Sequence, residues 1–187
     1  MKIIICIKGI WYLPLVIILF IKQKILHNKE AGKFSYDIES FHSSILKLMV
    51  VRPYYATLCC YRLKIYRWPF TLFYSYPIYF RNNMDLASGL KLEHPHGTHL
   101  NALSIGHNLH VAHNVTVGND FKGGIPTIGN NVTLGCGSCV LGGVKINDNV
   151  KVGANCVVVK DVPANSTVVG SPAYIVKLNG EKVRIKL

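Results

Sequence analysis

Six of the eight histidines in this 187-residue chain lie within one short segment, where their spacing could support proton transfer. They are His94, His96, His99, His107, His110 and His113. A neutral imidazole can remove a proton from an alcohol while that alcohol attacks a carbonyl carbon. The segment therefore favours a general-base site. A zinc site is the alternative, because three histidines can also hold a metal ion.

Downstream of the histidines an aliphatic residue returns at every sixth position. The series is Ile128, Leu134, Val140, Ile146, Val152 and Val158. A helix would need apolar residues at spacings of three and four, and an ordinary strand at a spacing of two. A hexapeptide period is typical of a parallel β-helix, in which three units close one triangular coil. We therefore predict a mainly β protein with a β-helix and an N-terminal α-helical region.

The same frame can be traced upstream, with a slip of one residue, into the histidine-rich segment. Its inward positions there are Leu86, Leu92, Ile105, Val111 and Val117. In this frame His94 and His113 lie one coil apart at one corner, about 4.8 Å from each other. Continuing the column gives Cys136 and Ala154. We expect one edge of the prism to place a base beside a groove, with the other four histidines as solvated corner residues.

A loop is predicted where the six-residue period fails. Val117 and Ile128 are eleven residues apart, five more than the repeat requires. The intervening residues 118–127 contain glycines and a proline, which suit a loop that leaves the coil. Loops held by a rigid scaffold often carry function.

The upstream half divides by composition into a hydrophobic segment at 1–26 and a helical region at 27–81, followed by the β-helix at 82–176 and a basic tail at 177–187. Residues 3–21 are apolar apart from Lys8, and lysines follow them. Two interpretations stay open: a membrane-associated segment with the rest of the chain on the cytoplasmic side, or a buried helix.

Charge and cysteine usage narrow the setting of the protein. The formal net charge of +12 would suit a phosphate-bearing ligand or an anionic membrane surface, and without a nucleic-acid motif we expect no binding to RNA or DNA. The six cysteines show no paired spacings. This pattern predicts reduced thiols in a cytoplasmic protein.

The chain from about residue 82 to 177 resembles the serine acetyltransferase branch of the left-handed β-helix acyltransferases. The motifs that carry the resemblance are GLKLEHPHGTHLN, SIGHNLHVAHNVTVGN and the repeat run from IPTIGNNVTLG to VVGSPA. The resemblance implies a left-handed coil, acetyl-CoA as co-substrate, no metal, and a homotrimer or dimer of trimers with sites between neighbouring prisms. The acceptor would be a small molecule with a hydroxyl group.

Residue roles follow from the same resemblance. Leu92-Glu93-His94 occupies the place of the Leu-Asp-His motif whose histidine is the general base. The implied catalytic residues are thus His94 with Glu93 and His113. The implied cofactor contacts are Cys136, Ala154, Val159, Lys160, Tyr174 and Lys177.

Two departures from the resemblance concern the acceptor. Tyr79 stands where those enzymes place the aspartate that supports the base, and Gly124 and Ile125 stand where they place an Arg-His pair that holds the amino acid. Losing a fork-shaped cation removes a direct means of selecting serine. Serine and a sugar, such as a polysaccharide precursor, both stay open as acceptors. A zinc enzyme of the γ-carbonic anhydrase kind and a non-catalytic scaffold are the remaining alternatives.

Overall fold

The computed structural model describes residues 54–63, 78–120 and 122–187, together with positions 13, 14, 17, 18, 29, 33, 36, 37 and 52. The chain divides into two compact units, residues 1–76 and 77–187. The second unit begins upstream of the boundary expected at residue 82, because the strand Ile78–Phe80 already pairs in register with a strand of the coil.

The second unit is a parallel coil whose successive strands fall in turn on three sheets. Sheet A contains β1 (Ile78–Phe80), β4 (Thr98–Leu100), β7 (Thr116–Gly118), β10 (Cys139–Leu141) and β13 (Val157–Val158). Sheet B contains β2 (Asp85–Leu86), β5 (Ser104–Ile105), β8 (Thr127–Ile128) and β11 (Lys145–Ile146). Sheet C contains β3 (Lys91–Leu92), β6 (His110–Val111), β9 (Thr133–Leu134), β12 (Lys151–Val152), β14 (Ser166–Val169), β15 (Tyr174–Leu178) and β16 (Glu181–Lys186). The predicted β-helix is confirmed, while its left hand stays a prediction from the resemblance.

Three columns of apolar side chains fill the coil, one behind each sheet. The column behind sheet A is Phe80, Leu100, Val117, Val140 and Val158. The column behind sheet B is Leu86, Ile105, Ile128, Ile146 and Val162. The column behind sheet C is Leu92, Val111, Leu134, Val152 and Val168. Each of these side chains is at most 7 % exposed. The six-residue period therefore marks the positions whose burial drives the coil to form.

The slip in the period has a different form from the one expected. Leu100 is a buried member of the column behind sheet A, eight residues after Leu92 and five before Ile105. Two residues are thus inserted at the corner between β3 and β4, and one is missing at the next corner. The net slip of one residue concealed both changes.

The corner between sheets B and C is held by a row of asparagines, here called the asparagine edge. Its members are Asn108, Asn131, Asn149, Asn165 and Asn179. All five have a left-handed backbone, with φ between 51° and 59°, which asparagine tolerates better than most residues. Each side-chain amide donates to the next along the row, at 2.8–3.3 Å.

The asparagine edge also contains a carboxylate with a lowered pKa. Asp148 accepts hydrogen bonds from the backbone N–H of Asn130 at 2.7 Å and from its Nδ2 at 3.2 Å. These bonds favour the ionised form, so the pKa of Asp148 lies below its ordinary value. The carboxylate therefore ties two successive turns of this edge together.

The C-terminal residues form a hairpin instead of a free basic tail. Strand β15 pairs antiparallel with β14, and β16 pairs antiparallel with β15. Lys177 lies opposite Thr167 in this arrangement. The hairpin extends sheet C beyond the last parallel strand and thereby covers its edge.

In the first unit the structure describes one helix, α1 (Tyr54–Leu63). Arg62 on α1 donates through Nε and Nη2 to Oδ2 of Asp37, at 3.0 and 2.9 Å, and both side chains are fully buried. Burial raises the pKa of the Cys60 thiol to about 12, which keeps it protonated and unreactive. Most of the helical region predicted at 27–81 lies outside the described residues.

Within the described ranges, no helix is long and apolar enough to span a bilayer. The segment 3–21 lies outside these ranges except for positions 13, 14, 17 and 18.

Candidate functional site

The corner between sheets C and A brings together the residues that the sequence placed on one edge. It is formed by residues 93–97, 113–114, 136–137 and 154–155, and is here called the histidine edge. Backbone hydrogen bonds run along it, from Gly137 N to His113 O at 3.0 Å and from Asn155 N to Cys136 O at 2.9 Å. His113, Cys136 and Ala154 are thus successive members of one column, one strand spacing apart.

His94 reaches the same column through the register of sheet C. Leu92 pairs with Val111, and His94 and His113 each lie two residues further along, so both enter the same corner from sheet C. Both side chains are exposed. The edge therefore presents two imidazoles to solvent, followed by the small residues Cys136 and Ala154.

The two-residue insertion brings a third histidine to this column. In sheet A, His99 pairs with Thr116, which places His96 opposite His113. The backbone agrees, because Asn114 N donates to His96 O at 2.8 Å. His96 is exposed, as expected for a solvated corner residue, but it lies on the same edge as His94.

The turn at the insertion holds His94 in an unusual conformation. Its φ is +48°, and its carbonyl oxygen accepts a hydrogen bond from His96 N at 2.6 Å. A left-handed backbone is uncommon outside glycine, although histidine adopts it more often than most residues. Such conformations cluster at functional sites, where the surrounding structure maintains them.

Glu93 makes its contact on the sheet C side of this corner. Its Oε2 lies 2.9 Å from Nε2 of His110, and both side chains are largely exposed. The structure therefore gives the carboxylate to His110, and in the described part of the chain no hydrogen bond joins it to His94. An exposed pair of this kind contributes little to stability.

The two remaining histidines have other neighbours. His107 lies on the asparagine edge, where its Nδ1 is 3.1 Å from Oγ of Ser88. His99 lies on the outer face of sheet A and stacks on Tyr79, with ring centroids 4.1 Å apart and an interplanar angle of 22°. His107 therefore lies at a corner, as expected, although at the asparagine edge. His99 lies on a strand of sheet A and not at a corner.

The residues expected to bind the cofactor fall into two groups. Cys136 and Ala154 lie on the histidine edge. Tyr174 belongs to the same group, because it pairs with Val169, and the next residue, Gly170, accepts a hydrogen bond from Val157 N beside that edge. Val159 and Lys160 follow β13 at the opposite corner of sheet A, about 15–20 Å along the chain from Ala154 at the usual strand rise. One prism therefore does not bring the two groups together.

Cationic side chains, Lys177 and Arg184 among them, lie on sheet C near the histidine edge. Lys177 lies on the outer face, in register with Thr167 and Lys151. Arg184 on β16 places its guanidinium carbon 5.6 Å from the ring centroid of Tyr174. Sequence reasoning missed Arg184, because only the pairing of β15 with β16 shows that it reaches Tyr174.

The extruded loop is present between β7 and β8, as the spacing predicted. Oδ1 of Asp120 accepts hydrogen bonds from the backbone N–H groups of Lys122 and Gly124, at 3.0 and 2.8 Å. A Cβ at Gly124 would lie only 2.3 Å from the backbone nitrogen of Gly143. This loop conformation therefore excludes any side chain at position 124, including a cation that could grip a carboxylate.

Among the described residues, no three or more His, Cys, Asp and Glu side chains are arranged to hold a metal ion. Cys136 and Cys139 are both unpaired thiols in the structure. The zinc alternative therefore has no described ligand set.

Comparisons with known proteins agree with the coil and its repeat. The profile of the family described as bacterial transferase hexapeptide (six repeats) matches residues 125–160. The serine acetyltransferase of Staphylococcus aureus strain Mu50 is 47 % identical over 83 residues, which are 43 % of this chain and 39 % of that protein. The matched segment thus spans about two fifths of the length of this curated relative.

Solved structures extend the similarity beyond the repeat. The Neisseria gonorrhoeae serine acetyltransferase superposes with a TM-score of 0.63 at 27 % identity, covering 83 % of this chain and 69 % of that one. Soybean serine acetyltransferase in complex with serine gives a TM-score of 0.64 at 25 % identity, covering 79 % and 69 %. The resemblance to the serine acetyltransferase-like branch, inferred from motifs, is confirmed.

Proposed function

We propose that this chain, which carries the hexapeptide repeat and resembles the serine acetyltransferases, is an acetyl-CoA-dependent O-acetyltransferase. His94 acts as general base and removes the proton from an acceptor hydroxyl. The resulting oxygen nucleophile attacks the thioester carbonyl of acetyl-CoA, and the carbon–sulfur bond breaks as the tetrahedral intermediate collapses. The acetyl group passes directly to the acceptor, and CoA leaves as the thiol after its sulfur takes the proton from His94.

The observation that carries this proposal is the column of His113, Cys136 and Ala154, with His94 at the same corner. The registers of sheets A and C independently align these three residues, and the turn that follows β3 carries His94. A base thus lies at one end of an edge lined by small residues. Such an edge can admit the thin pantetheine arm of CoA and bring its thioester to the base.

The other predicted site residues take supporting roles in the proposal. His113 lies at the same corner as His94, where it is proposed to bind the acceptor hydroxyl or the developing oxyanion. Glu93 is proposed to orient this corner through its contact with His110 instead of supporting His94 directly. The rest of CoA is proposed to contact Tyr174, Arg184, Lys177, Val159 and Lys160. The arginine and the two lysines are proposed to meet its phosphates.

The separation of the cofactor residues supports an oligomeric site. Lys160 and Ala154 lie at opposite corners of sheet A in one prism. If prisms pack side by side, the A–B corner of one copy can approach the histidine edge of the next. We therefore propose a homotrimer, or a dimer of trimers, with each site formed by two copies. We also propose that the protein is cytoplasmic. Attachment to the membrane through residues 3–21 is a separate proposal with its own test.

The test replaces His94 with a residue that can adopt the same backbone conformation. Asparagine tolerates the left-handed φ of +48° at position 94, so His94→Asn removes the imidazole without adding backbone strain. Loss of a general base typically lowers kcat by about 10²–10⁴-fold. The measurement is thiol release from acetyl-CoA with L-serine or methyl glycosides as acceptor. Calorimetry should show unchanged affinity for CoA.

A matched variant controls for loss of an exposed histidine. His107 is also exposed but lies on the asparagine edge, so His107→Asn should keep its turnover. Full activity of His94→Asn would remove the proposed base. Absence of CoA binding by the unmodified protein would favour the non-catalytic scaffold.

A further inference from the structure

The outer face of sheet A carries a pair of stacked aromatic rings beside the histidine edge. Tyr79 and His99 occupy paired positions on β1 and β4, with ring centroids 4.1 Å apart. His99 is exposed and Tyr79 is 46 % exposed. The next outward positions of this row are Thr116, Cys139 and Val157, so the aromatic surface is confined to the start of the coil.

The pair lies near the histidine edge, which carries the proposed base and also His96. His99 is three residues beyond His96 along an extended segment, so their Cα atoms are at most about 10 Å apart. Tyr79 lies one further rung along the coil, about 4.8 Å from His99. A ring of pyranose size that stacks on Tyr79 or His99 would therefore bring its own hydroxyls, or those of an adjoining residue, to the histidine edge.

The exposed surface of the pair is suited to a neutral ring. One face of Tyr79 contacts His99, and β1 is the first strand of the sheet in the described part of the chain, so no described strand covers the other face. The face of an aromatic ring carries partial negative charge. The axial C–H groups of a pyranose carry partial positive charge and can pack flat against it.

The charges around the pair do not match a free amino acid. A zwitterionic acceptor needs partners for its ammonium and carboxylate groups. Glycine at position 124 presents no cation, and Lys122 of the same loop follows β7 at the corner of sheet A opposite the histidine edge. Arg81 donates to Ala102 O at 3.3 Å, at the far end of β1 from the histidine edge. An uncharged saccharide has no such requirement.

We propose that Tyr79 and His99 form an acceptor subsite that stacks a pyranose ring, so that the acetyl acceptor is a saccharide hydroxyl. This inference rests on the proposed acetyltransferase activity for its role, but its binding test does not. Tyr79 is a specificity residue here, since it contacts the sugar and takes no part in proton transfer.

The test measures binding and turnover separately on the full chain. Saturation-transfer NMR and calorimetry use methyl glycosides of glucose, galactose, mannose and N-acetylglucosamine, with L-serine for comparison. At least one glycoside should bind with saturation transferred mainly to its C–H protons. Tyr79→Ala should weaken that binding at least five-fold, whereas Tyr79→Phe and Tyr79→Trp should retain it. Tyr36→Ala, at a tyrosine 52 % exposed in the other unit, should change nothing.

The kinetic arm separates this subsite from the proposed reaction. Tyr79→Ala should raise the glycoside KM with little change in kcat or in the KM for acetyl-CoA. Absence of binding by every glycoside, or equal binding by Tyr79→Ala, would overturn the subsite. His94-dependent acetylation of L-serine alone would retain the acetyltransferase and reject the saccharide. Tyr79-dependent glycoside binding without any transfer would retain the subsite and reject the proposed function.

Discussion

At the scale of single residues, Ser138 combines complete burial with an unsatisfied hydroxyl group. Its Oγ has no hydrogen-bond partner within the described part of the chain. A buried polar atom without a partner costs about 1–3 kcal/mol. Ser138→Ala is therefore expected to raise the free energy of unfolding by about 1 kcal/mol, measured as a higher urea midpoint at unchanged slope.

Thr98 provides the matched comparison, because it occupies the same interior column and is also buried. Its Oγ1 donates to Ala112 O at 3.1 Å and accepts from Val115 N at 3.4 Å. Thr98→Val leaves both partners unpaired and should lower stability by about 1–2 kcal/mol. Equal loss of stability in both variants would show that Ser138 Oγ has a partner after all.

At the scale of elements, the asparagine edge joins five turns through one chain of amide hydrogen bonds. Asn131 accepts from Asn108 at 3.0 Å, donates to Asn149 at 3.1 Å, and has a φ of 54°. Asn131→Ala loses both bonds and places a Cβ in the left-handed region, so we expect a loss of about 2 kcal/mol. Asn131→Gly keeps the backbone relaxed and should cost about 1 kcal/mol.

The order of these two variants is the informative result. Thermal or urea unfolding should rank the asparagine first, glycine second and alanine third. Glycine normally destabilises a regular position relative to alanine. An alanine variant more stable than the glycine variant would therefore contradict the left-handed turn at position 131.

The turns also show which inward positions the sequence did not predict. The six-residue period located the inward positions from Ile128 to Val158, because burial of an aliphatic side chain repeats with the strand. It did not locate Val162, which lies four residues after Val158 and belongs to the buried column behind sheet B. Leu100 was missed, since an insertion of two and a deletion of one nearly cancel. The eight-residue interval from Leu92 to Leu100 was the available signal. It also determines that His96 joins His94 on one edge.

Side-chain partners were less predictable than positions. The alignment of His94, His113, Cys136 and Ala154 at one corner follows from the period and its one-residue slip, but the pairing of Glu93 with His110 depends on how side chains turn outside the coil. The stack of Tyr79 on His99 could not be predicted, because β1 lies upstream of the first clear repeat. The resemblance identified Tyr79 only as the residue that occupies the place of the supporting aspartate.

At the scale of the whole molecule, the separation of the residues proposed to bind CoA predicts which copies share a site. Lys160 lies one side of the prism away from the histidine edge, whereas Cys136 lies on that edge with His94. If each site combines the edge of one copy with the A–B corner of the next, His94 and Lys160 act from different chains, while His94 and Cys136 act from the same chain.

Mixed oligomers distinguish these arrangements. The His94→Asn and Lys160→Gln variants are unfolded, mixed in equal amounts and refolded together. The mixture should regain activity at low acetyl-CoA, because random assortment gives about one site in four with both residues intact. His94→Asn mixed with Cys136→Phe should regain none, because every intact His94 then shares its edge with the blocking phenylalanine. Recovery in both mixtures, or in neither, would show that Lys160 and the histidine edge do not meet across a subunit boundary.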